Sequence, residues 1–236
     1  MNEFNTAFVV ALELITRFDP DLVEIVLLSL QISLSAVVLA TLVSLPIGAA
    51  LAVFRFRGRG AVIVLLNALM GLPPVVVGLI LYLLLSRAGP LGEHGLLYTP
   101  AAMTIAQCVL VIPIIAALAQ QTMADLYEEY SEQLRSLGVS STRAIPTLLR
   151  DGCFSLLIAV LAGFGRASAE VGAVIMVGGN INHMTRTMTT TIAMETSKGN
   201  LELALGLGLI LILVIVVVNG LTLAVRSVAV QKQGGR

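Results

Sequence analysis

The sequence predicts an all-α, polytopic membrane protein with about five transmembrane helices. Of its 236 residues, 57% are hydrophobic and only 12% are charged, and the mean hydropathy is +0.97. Soluble domains carry about 25% charged residues. The composition therefore excludes a disordered chain, a nucleic-acid-binding protein and an ordinary water-soluble enzyme. Several charge-free runs also exceed the roughly 18 residues that indicate a transmembrane helix.

Four charge-free runs mark membrane spans, and a fifth run of similar length contains Arg166 and Glu170. We predict spans at residues 22–54, 61–86, 97–124, 152–179 and 201–226, which together form one transmembrane domain over residues 22–226. Because lipid offers no hydrogen bonds, each run must satisfy its own backbone as a helix. The remaining segments are an N-terminal lead-in at 1–21, a cytoplasmic loop at 125–151 and a tail at 227–236.

The distribution of basic residues predicts the orientation. One group of loops carries nine of them: Arg55, Arg57, Arg59, Arg135, Arg143, Arg150, Arg226, Lys232 and Arg236. The opposite group carries four: Arg17, Arg87, Arg186 and Lys198. Because Lys and Arg are enriched in cytoplasmic loops, we predict a multi-pass protein of the cell membrane. Its N-terminus lies outside and its C-terminus lies in the cytoplasm.

Prolines and glycines interrupt the first three spans, at residues 45–48, 71–74 and 112–113. In a membrane helix, the backbone groups that such residues free must be satisfied by neighbours or by cavity water. We therefore expect three broken helices that line a cavity and move. The alternative is that Pro and Gly are simply more common in membrane helices.

The cytoplasmic loop has the pattern of two helices. Leu126, Tyr130, Leu134 and Leu137 recur at helical spacing, and Gly138 follows where a helix C-cap is expected. Ser140 or Ser141 can then cap a second short helix that contains Pro146. Such an element is suited to pass motion between a soluble partner and the spans. The alternative is an amphipathic helix that only rests on lipid.

The stretch Glu-Gln-Leu-Arg-Ser-Leu-Gly at 132–138, with Val-Ser-Ser-Thr-Arg-Ala-Ile after it, resembles the "EAA" loop of ATP-binding cassette (ABC) importer permeases. It keeps the glutamate and the glycine of that loop, and it departs from the family at Gln133, at Leu134 and at the ending 148–151. The resemblance implies docking on a separate ATPase. The residues that would do so are Glu132, Leu137, Gly138, Val139, Ser140, Arg143 and Ala144.

The fourth span carries a second resemblance. Residues 164–181, which include Glu-Val-Gly-Ala and Val-Gly-Gly-Asn-Ile, are similar to the signature of oxyanion permeases, and the downstream residues 185–199 are closest to the tungstate members. The resemblance implies a type I ABC importer permease fold with a cytoplasmic coupling helix. It also implies cytoplasmic ATPase subunits and an extracytoplasmic tungstate-binding protein as partners. Because one chain has one docking loop and an importer has two ATPases, we expect a homodimer.

The polar residues of this region are the candidates for a pathway or gate: Arg166, Glu170, Gly172, Asn180, Thr185 and Arg186. Arg166 and Glu170 are four residues apart and can pair on one helix face. A charge inside the bilayer is costly, so the pair either lies near an oxyanion path or only locks helix packing. The segment 180–200 either steers the oxyanion through its hydroxyls or is a solvated re-entrant turn.

The sequence contains no nucleophile–base constellation and no phosphate-binding Gly-x-x-x-x-Gly-Lys-Ser/Thr loop. Its two histidines, His94 and His183, give no metal-ligand cluster. We therefore expect a permease subunit that is not an enzyme and that has no cofactor, no metal and no nucleic-acid partner. Two other functions remain open: a permease for molybdate or another oxyanion, and a membrane subunit that does not transport.

Overall fold

The computed structural model describes residues 20–234, together with residues 8, 9, 12, 13 and 16. Most of the predicted lead-in, including Arg17, and the last two residues of the predicted tail lie outside these. Within the described residues the fold is all-α. Its helices are α1 (Pro20–Val53), α2 (Arg59–Leu69), α3 (Pro74–Leu85), α4 (Pro100–Ser136), α5 (Ser141–Asp151), α6 (Cys153–Ser168), α7 (Gly172–Gly178), α8 (Met188–Lys198) and α9 (Leu201–Gly234).

Three of these helices are long and apolar enough to cross a membrane alone: α1, α4 and α9. Two further pairs qualify if each bent pair counts as one span. Helices α2 and α3 meet at 98°, and α5 and α6 meet at 74°. The structure therefore has three to five candidate spans, and the predicted polytopic all-α class is confirmed. Helix α9 runs on to Gly234, so residues 227–234 continue the last helix.

The packing of α1 against α4 forms the centre of the bundle. Small side chains on α1, among them Ala36, Ala40 and Ala49, are fully buried. At Gly48 the two backbones approach so closely that an added Cβ would lie 2.8 Å from the Cβ of Ala119 and 2.9 Å from the backbone N of Gln120. In lipid, such close contact between helices supplies much of the association energy, because apolar burial alone offers little.

The expectation of three broken helices is wrong for two of them. Pro46 lies inside the continuous α1, and Pro113 lies inside the continuous α4. The hydroxyl of Ser44 on α1 donates to the carbonyl of Ile112, beside Pro113, at 3.0 Å. This hydrogen bond ties α1 to α4 beside the proline, whereas the carbonyl that Pro113 leaves without its helical N–H partner is that of Val109. The second span does break, between Leu69 and Pro74.

The predicted fourth span is not one helix. Helix α6 ends at Ser168, and the short α7 begins at Gly172. Of the three residues between them, Ala169 and Glu170 donate their N–H groups back to carbonyls of α6, and the carbonyl of Val171 accepts from α7. The other polar groups of the break depend on side chains.

The predicted helix–glycine–helix element is present. Helix α4 continues beyond its apolar part to Ser136, Gly138 adopts a left-handed φ of 67°, and α5 begins at Ser141 after Ser140. Pro146 lies inside α5. Ala144 and Leu148 are buried against residues of α1 and α4. Helix α5 is therefore fixed to the ends of these two long helices.

Gly48→Ala tests the central packing. The added methyl group would force the α1 and α4 backbones apart, and overpacking of this kind costs about 1–3 kcal/mol. We expect a lower midpoint of thermal unfolding for the purified protein. Gly208→Ala is the matched control, because a Cβ at Gly208 on α9 would meet nothing within 4 Å. Equal unfolding midpoints for the two variants would contradict the assignment of α1 and α4 as the packing centre.

Candidate gate and coupling element

The break between α6 and α7 holds a buried ion pair. The Arg166 guanidinium donates directly to the Glu170 carboxylate, as the spacing predicted, although the two residues are on a broken rather than a continuous helix. The Glu170 side chain is 2% exposed and that of Arg166 is 29% exposed. The other carboxylate oxygen of Glu170 accepts the Ala173 N–H at 3.0 Å. Glu170 therefore neutralises Arg166 and also caps α7.

Two further contacts satisfy the backbone of the break. The amide of Gln107 on α4 donates to the carbonyl of Ala167 at 3.0 Å, and the hydroxyl of Thr189 on α8 donates to the carbonyl of Glu170 at 2.8 Å. Gly172 starts α7 against α3, where an added Cβ would lie 3.0 Å from a methyl carbon of Val75. The break is therefore tied to α3, α4 and α8 at once.

A small polar cavity lies beside the break. Its lining includes Ser29 and Ser33 of α1, Gln107 of α4, Ser168 of α6 and Thr187 before α8. Gln107 is 4% exposed, and its carbonyl oxygen has no hydrogen-bond partner. Our reading of the sequence missed Ser29, Ser33 and Gln107. Their signal was that each is a polar residue inside an otherwise apolar span.

The segment from Asn180 onwards folds on itself. The buried Thr185 hydroxyl donates to the carbonyl of Gly178 and accepts the N–H of Ile181. Asn180 accepts the hydroxyl of Thr190 at 2.9 Å, and Thr187 and Thr190 form a capping box at the start of α8. These hydroxyls are buried and hold the segment together. The segment is therefore not the solvated turn of one interpretation, and its role toward an oxyanion stays a prediction.

His183 connects this segment to the start of α1. Its Nδ1 lies 2.8 Å from a carboxylate oxygen of Glu24, and both side chains are largely exposed. The Glu24 carboxylate raises the pKa of His183, by hydrogen bonding first and by charge second, with a smaller contribution from Asp21; Arg186 opposes the shift. Three side chains here could each offer one metal-binding atom, and these atoms lie within 4.8 Å of one another: Asp21, Glu24 and His183. The number of histidines alone did not predict this grouping.

The predicted coupling residues gather around the corner between α4 and α5. Glu132, Leu137, Gly138, Ser140 and Arg143 are exposed, Val139 is half-buried, and Ala144 is buried. The pathway candidates lie elsewhere, at or beyond the other end of α6. That helix has 16 residues and is therefore about 24 Å long. Helix α6 thus runs from the end of α5, the helix that follows this corner, to the polar break.

The fold and this arrangement define a class of protein, namely a multi-pass helical membrane component. Its spans surround the polar break, and the corner between α4 and α5 is exposed at one end. The chain belongs to the family of binding-protein-dependent transport system inner membrane components, which matches residues 44–227. Members of that family are subunits of transport systems that use a binding protein.

Three relatives show where the chain lies within the family. It is 41% identical over 192 residues to the tungstate uptake system permease protein TupB of Peptoclostridium acidaminophilum, covering 81% of this chain and 84% of the relative. It is 38% identical over 186 residues to a probable anion ABC transporter permease protein of Haloferax volcanii, covering 77% and 80%. It is 31% identical to the molybdenum transport system permease protein ModB of Azotobacter vinelandii, covering 70% and 76%.

Variants of the ion pair test its role in packing. Arg166→Gln leaves the buried Glu170 carboxylate without its partner, which we expect to cost roughly 3 kcal/mol or more. Glu170→Gln leaves the more exposed Arg166 unpaired and should be less damaging. The double variant removes both charges and should recover part of the thermal stability. If Arg166→Gln unfolds at the same temperature as the parent, the pair does not hold the break.

The contact between His183 and Glu24 should depend on pH. Because the folded-state pKa of His183 is raised, the contact stabilises the protein below about pH 6.5 and is lost as the pH rises through the raised pKa. The thermal unfolding midpoint of His183→Gln should thus fall below that of the parent at mildly acidic pH and match it in alkali.

His94→Gln is the matched control for that measurement, because within the described residues His94 forms no ion pair with a carboxylate. A difference between His183→Gln and the parent that is constant across this pH range would contradict the assignment.

Proposed function

We propose that the chain is the membrane-spanning permease subunit of an ATP-driven importer of tungstate. The observation that carries this proposal is the 41% identity, over most of both chains, to a permease named for tungstate uptake. The identity to a permease named for molybdenum transport is lower, at 31%. The fold supports the proposal, because it combines apolar spans with a polar break and an exposed helix pair that a soluble partner can reach.

Helix α5 and the corner before it form the proposed contact with the ATPase. Leu137 is 76% exposed at the corner, although it is a large apolar side chain. On α5 itself, Ala144 and Leu148 are buried against α1 and α4. One face of the element is thus anchored to the bundle while the other is open to a partner. ATP hydrolysis belongs, in this proposal, to that partner.

Alternating access provides the mechanism. Closure of two ATPase subunits moves the corner, and α5 and α6 in turn carry the movement to the break between α6 and α7. Two copies of the chain surround the pathway, so that each coupling corner meets one ATPase. The corner lies in the cytoplasm, in agreement with the basic residues of the neighbouring loops. A binding protein delivers the anion to the opposite side.

The polar break is the proposed gate. Arg166 is the cation nearest the break, and its charge is already balanced by Glu170. A balanced pair can interact with a passing dianion without holding it strongly, as a transporter that releases its substrate requires. Gly172 and the neighbouring Val75 allow α7 and α3 to lie close in the closed arrangement. Asn180, Thr185 and Arg186 belong to the outer segment that covers it.

A permease for molybdate is the second candidate, since both ions are tetrahedral dianions of nearly equal size. Cellular tungsten and molybdenum, measured by mass spectrometry at low external oxyanion, separate the two. We expect deletion of this chain to abolish tungsten accumulation and to leave molybdenum unchanged. Loss of molybdenum alone would reassign the substrate, and loss of neither would contradict oxyanion import.

Leu137→Ser tests the coupling corner. Loss of the exposed apolar side chain should weaken ATPase binding by several-fold, because burial of a leucine side chain against a partner is favourable. The measurement is the amount of ATPase that co-purifies with the permease.

Leu91→Ser is the matched control, because Leu91 is also exposed but lies in the turn between α3 and α4, at the opposite end of α4. If both variants retain the ATPase equally, the corner is not its docking site.

A further inference from the structure

A polar cavity of about 400 Å³ lies at the α5 end of the bundle, outside the break and outside the coupling corner. It is formed where α1 ends, α2 begins and α4 passes beside them. Its polar lining consists of Arg55, Arg59, Tyr127, Glu128 and Ser131. The cavity is large enough for a phosphate group, and none of the functions proposed above uses it.

Arg59 is held in place within this cavity. Its Nε donates to the carbonyl of Leu51 at 2.6 Å, and one terminal nitrogen lies 3.5 Å from the carbonyl of Ala52. These carbonyls belong to the last turn of α1, where a cation is favourable. The guanidinium has five N–H donors. A pre-positioned arginine with donors to spare is well suited to bind an anionic oxygen.

Arg55 adds a second cation. Its side chain is exposed, and among the described residues it makes no hydrogen bond or ion pair. Glu128 contributes one negative charge, so the two arginines leave the lining with an excess of one positive charge. The Tyr127 hydroxyl can donate a further hydrogen bond, whereas the Ser131 hydroxyl already donates to the carbonyl of Glu128 at 2.9 Å. Paired guanidinium and hydroxyl donors are the usual partners of a phosphate group.

Exposed apolar side chains that are close in the chain to the lining arginines favour a lipid over a free anion. Phe54 is 39% exposed and Phe56 is 49% exposed, on either side of Arg55. Val62, one turn into α2, is 41% exposed. A free phosphate would gain nothing from these side chains, whereas the acyl chains of a phospholipid would cover them. Basic pockets between membrane helices on the cytoplasmic side are typical headgroup sites.

The cavity also contacts the coupling element. Tyr127 lines the cavity, and its hydroxyl lies 3.2 Å from the hydroxyl of Ser141, the first residue of α5. A headgroup in the cavity would therefore lie one side chain away from the helix that we propose to meet the ATPase.

We propose that this cavity binds the phosphate group of an anionic phospholipid of the cytoplasmic leaflet. The assignment of the leaflet rests on the proposed orientation, but the binding itself does not depend on tungstate or on transport. Its failure is therefore distinguishable from failure of the proposed function.

The test measures lipid binding to the purified full-length permease. Phosphatidylglycerol is titrated into the protein in detergent, with phosphatidylcholine as the uncharged comparison, and bound lipid is counted by native mass spectrometry. Phosphatidylglycerol should bind more tightly. Arg55→Gln should weaken that binding about fivefold, since one Arg near an anionic headgroup contributes about 1 kcal/mol.

Two further variants make the test specific. Arg57→Gln is the matched control, because Arg57 lies in the same exposed loop but does not line the cavity. Glu128→Gln removes the opposing carboxylate and should tighten the binding of phosphatidylglycerol, a gain that misfolding could not produce.

Several outcomes would overturn the proposal. Equal weakening by Arg55→Gln and Arg57→Gln would indicate general attraction to a basic loop. Equal binding of the two lipids would exclude recognition of the headgroup charge. If an excess of inorganic phosphate displaced phosphatidylglycerol and the acyl chains contributed nothing to the affinity, the cavity would be assigned to a free anion instead.

Discussion

The hydrogen-bonding demand of the backbone in lipid governs this structure more than any other constraint. A helix satisfies that demand by itself, and a break in a helix does not. The break between α6 and α7 lies within an otherwise apolar span, and polar groups at the break are satisfied by its own Glu170 and by Gln107 and Thr189 from two other helices. The arrangement of α4 and α8 around α6 follows from this requirement.

The break and the central helix pair are held in different ways. The break depends on polar contacts, namely the Arg166–Glu170 ion pair and the hydrogen bonds from Gln107 and Thr189. The packing of α1 on α4 around Gly48 has no room for an added methyl group. In the proposed mechanism the central pair stays fixed and the break moves, and alternating access needs both features.

Much of the fold could be predicted from the sequence, because the composition and the charge-free runs indicate which segments are buried in lipid. The pairing of Arg166 with Glu170 and the left-handed Gly138 followed from short-range rules. The continuity of α1 through Pro46 and of α4 through Pro113 did not, since a proline ends a helix only when no neighbour compensates for it. The roles of Gln107 and of Glu24 beside His183 were also missed, because each depends on a contact between distant parts of the chain.

In the proposed function, this chain couples ATP hydrolysis by a partner to anion movement across the membrane. A reconstitution tests this coupling: the permease, its ATPase and a tungstate-loaded binding protein are placed in proteoliposomes, and tungstate entry is followed. Entry is expected only when ATP is supplied on the α5 side, with hydrolysis stimulated by the loaded binding protein. Entry without ATP, driven by an ion gradient, would contradict the proposed coupling.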